Sequence, residues 1–249
     1  MEKKIVLITG ASRGIGRATA IAFAKEGYRV FVNYRSDKVS AQSCLAQLSG
    51  NSHQTFQADI SKKSETDQLF SYVISEAGRI DVLVNAAGIA KTNNIEQSPD
   101  DWINTWNKTM DTNINGLAYC CYLAACQMKA QKSGRIINIS SRGAFRGEPE
   151  MLAYGASKGA VNSLTQSLAK ALGKHNIGVT AVAPGFVDTD MARDILESPK
   201  GSHLISESPF NRIARPDEIA QTVLFLARET SIFLSGTIVD VNGASYFRM

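Results

Sequence analysis

Histidine and cysteine are scarce in this 249-residue chain, and neither is grouped for catalysis. The three histidines, His53, His175 and His203, stand far apart, and no Cys-x-x-Cys or Cys/His cluster occurs. Zinc sites and Cys/His nucleophilic catalysis therefore lack their parts, and no metal is expected. Of the four cysteines, Cys44, Cys120, Cys121 and Cys126, the last three share one helix-like segment where paired bridges are awkward. They are expected to be buried thiols in a reducing compartment. Charge in blocks is missing too. The net charge is +4, yet no run of five like charges appears, so no nucleic-acid arm and no polybasic membrane patch is expected. No apolar stretch nears the roughly 20 residues of a membrane helix. Lys3-Lys4 before Ile5-Val6-Leu7-Ile8 has the charge of a signal peptide but too short an apolar run, so a cytoplasmic location is expected.

What is present is alternation. Strand-length apolar runs are expected at 4–9, 28–34, 54–58, 80–85, 135–140, 178–183 and 237–241, several of them continuously apolar and β-branched. Helical stretches are expected at 15–26, 39–48, 63–77, 154–173 and 216–227, with a further long one running through Ala130. Such alternation implies crossover units and a mainly parallel sheet of about seven strands with helices on both faces. The economical topology is a single-domain, Rossmann-like, doubly wound α/β fold over residues 1–249. The one long irregular stretch, 187–215, follows a strand's carboxyl end and is expected to be a substrate lid.

The first strand runs into Thr9-Gly10-Ala11-Ser12-Arg13-Gly14-Ile15-Gly16 and then a helix. Glycines permit positive φ and let a pyrophosphate approach the backbone, while the helix N-terminus offers free N–H groups to that anion. The spacing Gly-x-x-x-Gly-x-Gly differs from the common dinucleotide fingerprint, but its place between strand and helix points to the same use. The second strand ends Val32-Asn33-Tyr34-Arg35-Ser36, without the carboxylate that would bind a ribose 2′-hydroxyl. Arg35 and Arg13 are instead suited to a 2′-phosphate, so NADP is expected over NAD. Asp37 is the competing reading, since a slipped register brings it to the ribose.

Tyr154-Gly155-Ala156-Ser157-Lys158 opens a helix, and i, i+4 spacing puts Tyr154 and Lys158 on one face. Ser140-Ser141 closes the preceding strand, with Ser141 thirteen residues before Tyr154. Asn85-Ala86-Ala87-Gly88 and Pro184-Gly185-Phe186-Val187-Asp188-Thr189 close two others. All lie at strand carboxyl ends, where open α/β sheets bind ligands.

With these motifs the chain resembles the short-chain dehydrogenase/reductase family, most nearly its 3-oxoacyl-[acyl-carrier-protein] reductases of fatty-acid biosynthesis. The resemblance runs from Lys4 to Val241-Asn242-Gly243. It implies a catalytic set of Asn113, in Thr112-Asn113-Ile114-Asn115-Gly116, with Ser141, Tyr154 and Lys158. It also implies cofactor contacts at Gly10, Ser12, Arg13, Gly14, Ile15, Gly16, Arg35 and Ser36. Further contacts fall on Asp59, Ile60, Asn85, Ala86, Gly88, Pro184, Gly185, Val187 and Thr189. On this resemblance Tyr154 is the general acid and Ser141 orients the substrate carbonyl. Lys158 holds the nicotinamide ribose and lowers the tyrosine's pKa, and Asn113 holds a water. Ser140 is the alternative hydroxyl. A homotetramer is implied, with the stripe Leu117, Tyr119, Leu123 and Ala124 on one contact face.

Two features depart from the family. Ser98 to Ile103 reads as a short insertion carrying Trp102 ahead of Trp106. The loop from Arg142 to Glu150 holds two arginines and two glutamates, expected to form salt bridges at the rim. A surface for acyl carrier protein is expected near Lys129, Lys132, Lys174 and His175. The leading expectation is NADPH-dependent reduction of a 3-oxoacyl thioester, free or carrier-linked. The competing ones are a dehydrogenase of a sugar, polyol or other small alcohol, and a non-catalytic module that senses redox cofactor.

Overall fold

The computed structural model describes residues 3–199 and 201–248, so Met1, Glu2, Lys200 and Met249 lie outside the described residues. Seven strands form one sheet: β1 (Ile5–Thr9), β2 (Arg29–Tyr34), β3 (Gln54–Gln57), β4 (Val82–Asn85), β5 (Gly134–Ile139), β6 (Ile177–Pro184) and β7 (Ile238–Val241). Their order is β3-β2-β1-β4-β5-β6-β7, and every pair is parallel. The order reverses between β1 and β4, which opens a crevice at the carboxyl edge. The expected Rossmann-like sheet is present.

Both sheet faces are covered, which is why the strands read as unbroken apolar runs. Val6 and Ile8 of β1 face one core, with Phe23, Val30, Val84, Ile137, Ile219 and Val223. Ile5 and Leu7 face the other, with Phe31, Leu69, Leu83, Leu117, Val161 and Val179. The first core packs under α1 (Gly14–Lys25), α2 (Lys38–Ala46) and a later helix, Pro216–Leu226. The second packs under α3 (Lys63–Ala77) and two long segments that also carry site residues.

The first of those segments is not one α-helix, as its apolar period suggests. It divides into α4 (Pro99–Met110), a π-helical turn at Asp111–Gly116, and α5 (Leu117–Gln131). The reading of 98–103 as an insertion resolves into the start of α4: Ser98 is the N-cap, its hydroxyl accepting from Asp101 N at 3.2 Å. Trp102 and Trp106, one turn apart, stack with ring centroids 5.1 Å apart.

The second segment follows α6 (Gly143–Arg146) and is α7 (Leu152–Leu172), which begins two residues before Tyr154. Beyond β6 the stretch expected to be irregular contains α8 (Asp190–Leu196) and α9 (Gly201–Ser206), before α10 (Pro216–Leu226). Its stem is stitched shut, since Asp188 N donates to Ala214 O at 2.9 Å and Ala214 N to Phe186 O at 3.0 Å.

Two surface expectations need correction. Leu117 and Ala124 are fully buried against the sheet and Tyr119 bonds Asp67, so the proposed contact stripe is largely spent inside the subunit. Cys44, Cys120 and Cys121 are buried, but Cys126 is exposed. No helix of the described residues is long and apolar enough to cross a membrane.

Candidate active site

The glycine loop is shaped for close backbone approach. Gly10 and Gly14 have φ of +63° and +53°, and a Cβ on Gly10 would sit 2.6 Å from Ala87 Cα. A Cβ on Gly16 would meet Gly10 O at 2.4 Å, so the third glycine lets α1 pack onto the strand turn. Arg13 caps α1 in extended conformation without a side-chain cap bond, so first-turn N–H groups remain for an outside acceptor.

These residues line a cleft with Arg35, Ser36, Asp59, Ile60, Ala86, Gly88 and Thr189, all expected from sequence. Gly14 lies against Thr189: a Cβ there would be 3.1 Å from the threonine methyl, so the base of the 187–215 stretch closes over the loop. Arg13 and Arg35 are exposed, and neither guanidinium has a hydrogen bond or salt bridge to another described side chain, which suits both to an added phosphate. Asp37 is occupied, because its carboxylate accepts from Ser40 N at 2.9 Å as the cap of α2. That bond holds its carboxyl below the usual carboxylate range. Asp59 shapes its own turn by accepting from Ser61 N and Oγ, at 3.0 and 2.7 Å. The loop, cleft and cations fit a dinucleotide.

Sequence reasoning missed Asn33. Buried near the end of β2, it accepts from Gly10 N at 3.3 Å and donates to Ala58 O at 3.0 Å, pinning the glycine loop to two strand ends. A lone amide inside an apolar strand was the available signal. Arg17 was missed as well; its guanidinium donates to Ser12 O at 2.6 and 2.8 Å.

Several expected contacts fall elsewhere. Asn85 points into the core, donating to Asn138 Oδ1 at 2.9 Å, and does not line the cleft. Pro184 and Gly185 belong to the floor behind it: Pro184 O accepts from Arg142 N, and Gly185 packs on Asn242. Val187 is buried in the core. The basic residues Lys129, Lys132, Lys174 and His175 sit where chains enter β5 and β6, at the amino edge of the sheet. That is the edge opposite this chain's own cleft, because helix-to-strand connections run there.

Four polar side chains meet beside the cleft. The Ser141 hydroxyl is near enough to the Tyr154 phenol to favour its ionised form, and Ser141 Oγ accepts from Gly143 N at 3.0 Å. Ser140 is turned away, donating to Asn162 at 2.6 Å within the core, so the two adjacent hydroxyls have separate surroundings. Lys158 lies buried one turn beyond Tyr154, and Nζ donates to Ile139 O at 2.7 Å. Asn113 is buried on the π-helical turn, where one extra residue re-aims a helix side chain. Its Oδ1 accepts from Ile89 N at 2.8 Å and its Nδ2 donates to Ser157 Oγ at 3.1 Å. Gly88 faces both: a Cβ there would lie 3.4 Å from Asn113 Oδ1 and 3.6 Å from Lys158 Nζ.

The electrostatics differ from expectation. Burial raises the Tyr154 phenol's pKa and the Ser141 hydrogen bond only partly offsets it, with Glu148 adding to the rise. Lys158 does not lower it: the amine is 5.8 Å from the ring centroid and tied to a backbone carbonyl. Burial pushes Lys158 itself down to about 8.

The charged loop is also not a rim. Arg142 is 3% exposed, and Glu207 takes both Arg142 Nη2, at 2.5 Å, and Arg146 Nη1, at 3.1 Å.

A parallel sheet whose glycine-lined crevice opens at the strand-order reversal is the architecture of Rossmann-type dinucleotide proteins. Residues 4–200 match the short chain dehydrogenase family, and this chain belongs to it as an oxidoreductase of that type. It is 37% identical to 3-oxoacyl-[acyl-carrier-protein] reductase FabG of Staphylococcus epidermidis, over 98% of this chain and 99% of that one. A 3-oxoacyl-[acyl-carrier-protein] reductase of Synechocystis is 36% identical over 98% of this chain and 97% of its own. The FabG of Thermotoga maritima is 33% identical over 98% of both chains. The crystal structure of gox2181 superposes with a TM-score of 0.92 at 29% identity, covering 98% of this chain and 96% of that one.

Proposed function

We propose that this protein reduces 3-oxoacyl thioesters to 3-hydroxyacyl thioesters with NADPH, in the cytoplasm and as a homotetramer. The observation that carries the reading is the Ser141 hydroxyl acting on the Tyr154 phenol, with a buried lysine one turn on whose amine lies against Gly88 of the dinucleotide cleft. Relatives named as 3-oxoacyl-[acyl-carrier-protein] reductases over nearly their full length support the substrate class.

When bound, NADPH supplies the hydride. The glycine loop and the first turn of α1 hold its pyrophosphate, Arg13, Arg35 and Ser36 its 2′-phosphate, and Asp59 and Ile60 its adenine. Lys158 and Thr189 hold the nicotinamide end. Ser141 donates a hydrogen bond to the substrate carbonyl and orients it. Tyr154 gives its proton to the oxygen; burial raises its pKa with no bound ligand, which works against donation, so the proton transfer rests on its position rather than on its acidity. Asn113 keeps the π-helical turn against Ile89 and so fixes the wall opposite Lys158.

A second reading, a dehydrogenase of a polyol or other small polar alcohol, is favoured by one observation. Glu148 stands close enough to raise the pKa of Tyr154, and the wall there is charged rather than apolar. Initial rates with acetoacetyl thioesters against a panel of alcohols and sugars, with each cofactor pair, separate the two. Turnover of alcohols alone would remove the thioester reading.

A further inference from the structure

Glu207 follows α9 and is the point where the 187–215 stretch meets the loop carrying Ser141. Its carboxylate lies between two guanidiniums of that loop. Arg142, the residue after Ser141, approaches to 2.5 Å and Arg146 to 3.1 Å. Arg146 Nε also holds Glu148 at 3.3 Å, and Glu148 in turn bears on Tyr154. Arg142 has two further contacts. Nη1 donates to Ser245 Oγ at 2.5 Å, and the guanidinium lies 4.9 Å from the ring centroid of Phe186. Next to Glu207, Ser208 Oγ donates to Gly243 O at 2.7 Å.

The four charged side chains comprise two cations and two anions. Each is partly or fully shielded, Arg142 and Glu207 being 4% and 19% exposed at the side chain. Loss of one partner in such a cluster strands a buried charge, unlike loss from a surface pair. The stem of the stretch is already closed by the Phe186, Asp188 and Ala214 backbone bonds. Its middle is anchored to the reacting side of the cleft through Glu207.

We infer that Glu207 is a positioning residue, a latch that couples the seating of the 187–215 lid to the loop holding Ser141 and Glu148. The inference rests on the proposed reading that Ser141 and Tyr154 meet the substrate. Glu207 touches neither reacting hydroxyl and acts through Arg142 and Arg146. With the latch closed, substrate meets an ordered Ser141; with it open, the lid is loose and productive binding is lost first.

The test uses the full chain with Glu207→Gln, Glu207→Asp and Arg146→Met, and Glu197→Gln as an exposed carboxylate on the same lid. Hydrogen exchange is measured without substrate or cofactor, and then steady-state rates with acetoacetyl thioester and NADPH. In Glu207→Gln and Arg146→Met, peptides from 188–207 and 142–150 are expected to exchange about 10-fold faster, a typical coupling between linked sites. Peptides from β1 and from α1 beyond its first turn should be unchanged, and NADPH affinity should fall by less than KM rises, since Thr189 is the one proposed cofactor contact on the lid. KM should rise by about 10-fold with a smaller fall in kcat, and Glu207→Asp should recover most of the difference. Unchanged lid exchange in both neutral variants overturns the latch. So does acceleration that spreads to β1 and α1, or an equal effect from Glu197→Gln. If Glu207→Gln does not fold, Arg146→Met and Glu207→Asp carry the same comparison. The exchange experiment needs no substrate, so failure of the thioester reading leaves it intact and is seen separately as absent turnover.

Discussion

Lys158 donates from Nζ to the carbonyl oxygen of Ile139 at 2.7 Å, joining the first turns of α7 to the end of β5. The bond holds the amine beside Gly88 of the cleft, and burial pushes the amine's pKa from 10.5 down to about 8. A lysine whose folded pKa is depressed destabilises the fold while it must be charged, and stability rises with pH wherever the unfolded chain is the more protonated state. The cost is complete below pH 8, where the folded amine must carry its charge, and fades between about 8 and 10.5. Lys158→Met is therefore expected to be more stable by about 2–3 kcal/mol near pH 7, one pKa unit being about 1.4 kcal/mol. Denaturant melts at neutral and strongly alkaline pH check this. An advantage that is absent at pH 7, or that grows as pH rises, contradicts it.

Tyr154→Phe keeps the ring and removes the proton. A positioned general acid contributes about 10²–10⁴-fold to rate, and kcat should fall by that factor with NADPH affinity nearly unchanged. Tyr34→Phe is the control, since Tyr34 is buried at the end of β2 outside the polar group. Near-normal turnover by Tyr154→Phe, in an assay where hydride transfer limits the rate, removes the proposed mechanism.

Arg35→Ala tests the cofactor. Hydrogen bonds to charged groups contribute about 1.5–3 kcal/mol, so NADPH binding should weaken about 10–100-fold. NADH binding should hardly change, because Asp37 remains engaged by Ser40 in the variant. Titration of both reduced cofactors by fluorescence decides it, and an unchanged NADPH/NADH ratio counts against the 2′-phosphate reading.

Assembly is measured most simply by light scattering at micromolar concentration. A homotetramer of the 26.9 kDa chain is the expected species, and a monomer is the contrary result. With Leu117 and Ala124 committed to the core, the outward residues of α5 available to a contact include Tyr122, which is 60% exposed.

The parallel sheet was legible because runs such as Ile5–Thr9 and Val82–Asn85 are apolar at every or nearly every position, a pattern only double burial rewards. The glycine loop and the Ser141, Tyr154 and Lys158 group were legible because all fall at strand ends that the alternation already located. The π-helical turn at Asp111–Gly116 was not, since one extra residue leaves the neighbouring apolar period intact. Helices α8 and α9 escaped because seven and six residues carry too few apolar repeats to register. Arg142 read as surface because a charge's burial depends on its partner, and Glu207 lies 65 positions away in sequence. Asn85 read as a cofactor contact from its place at a strand end, where only the rotamer decides between crevice and core. The tyrosine's pKa was misjudged because chain spacing gives the lysine's turn but not the carbonyl that captures its amine.

The strand order has a consequence for synthesis. β1 sits between β2 and β4, and β3, β2 and β1 are all complete by Gln57, so these three can pair while the remainder is still being made. Until Val82–Asn85 emerges, the backbone of Val6–Thr9 on the β4 side has no ladder partner. A chain halted in that interval presents a flat apolar strand edge in the cell, the form of nascent protein most open to wrong pairing. The arrival of β4 pairs that edge and creates the crevice in the same event, and the open edge then passes to β4 until Gly134–Ile139 emerges.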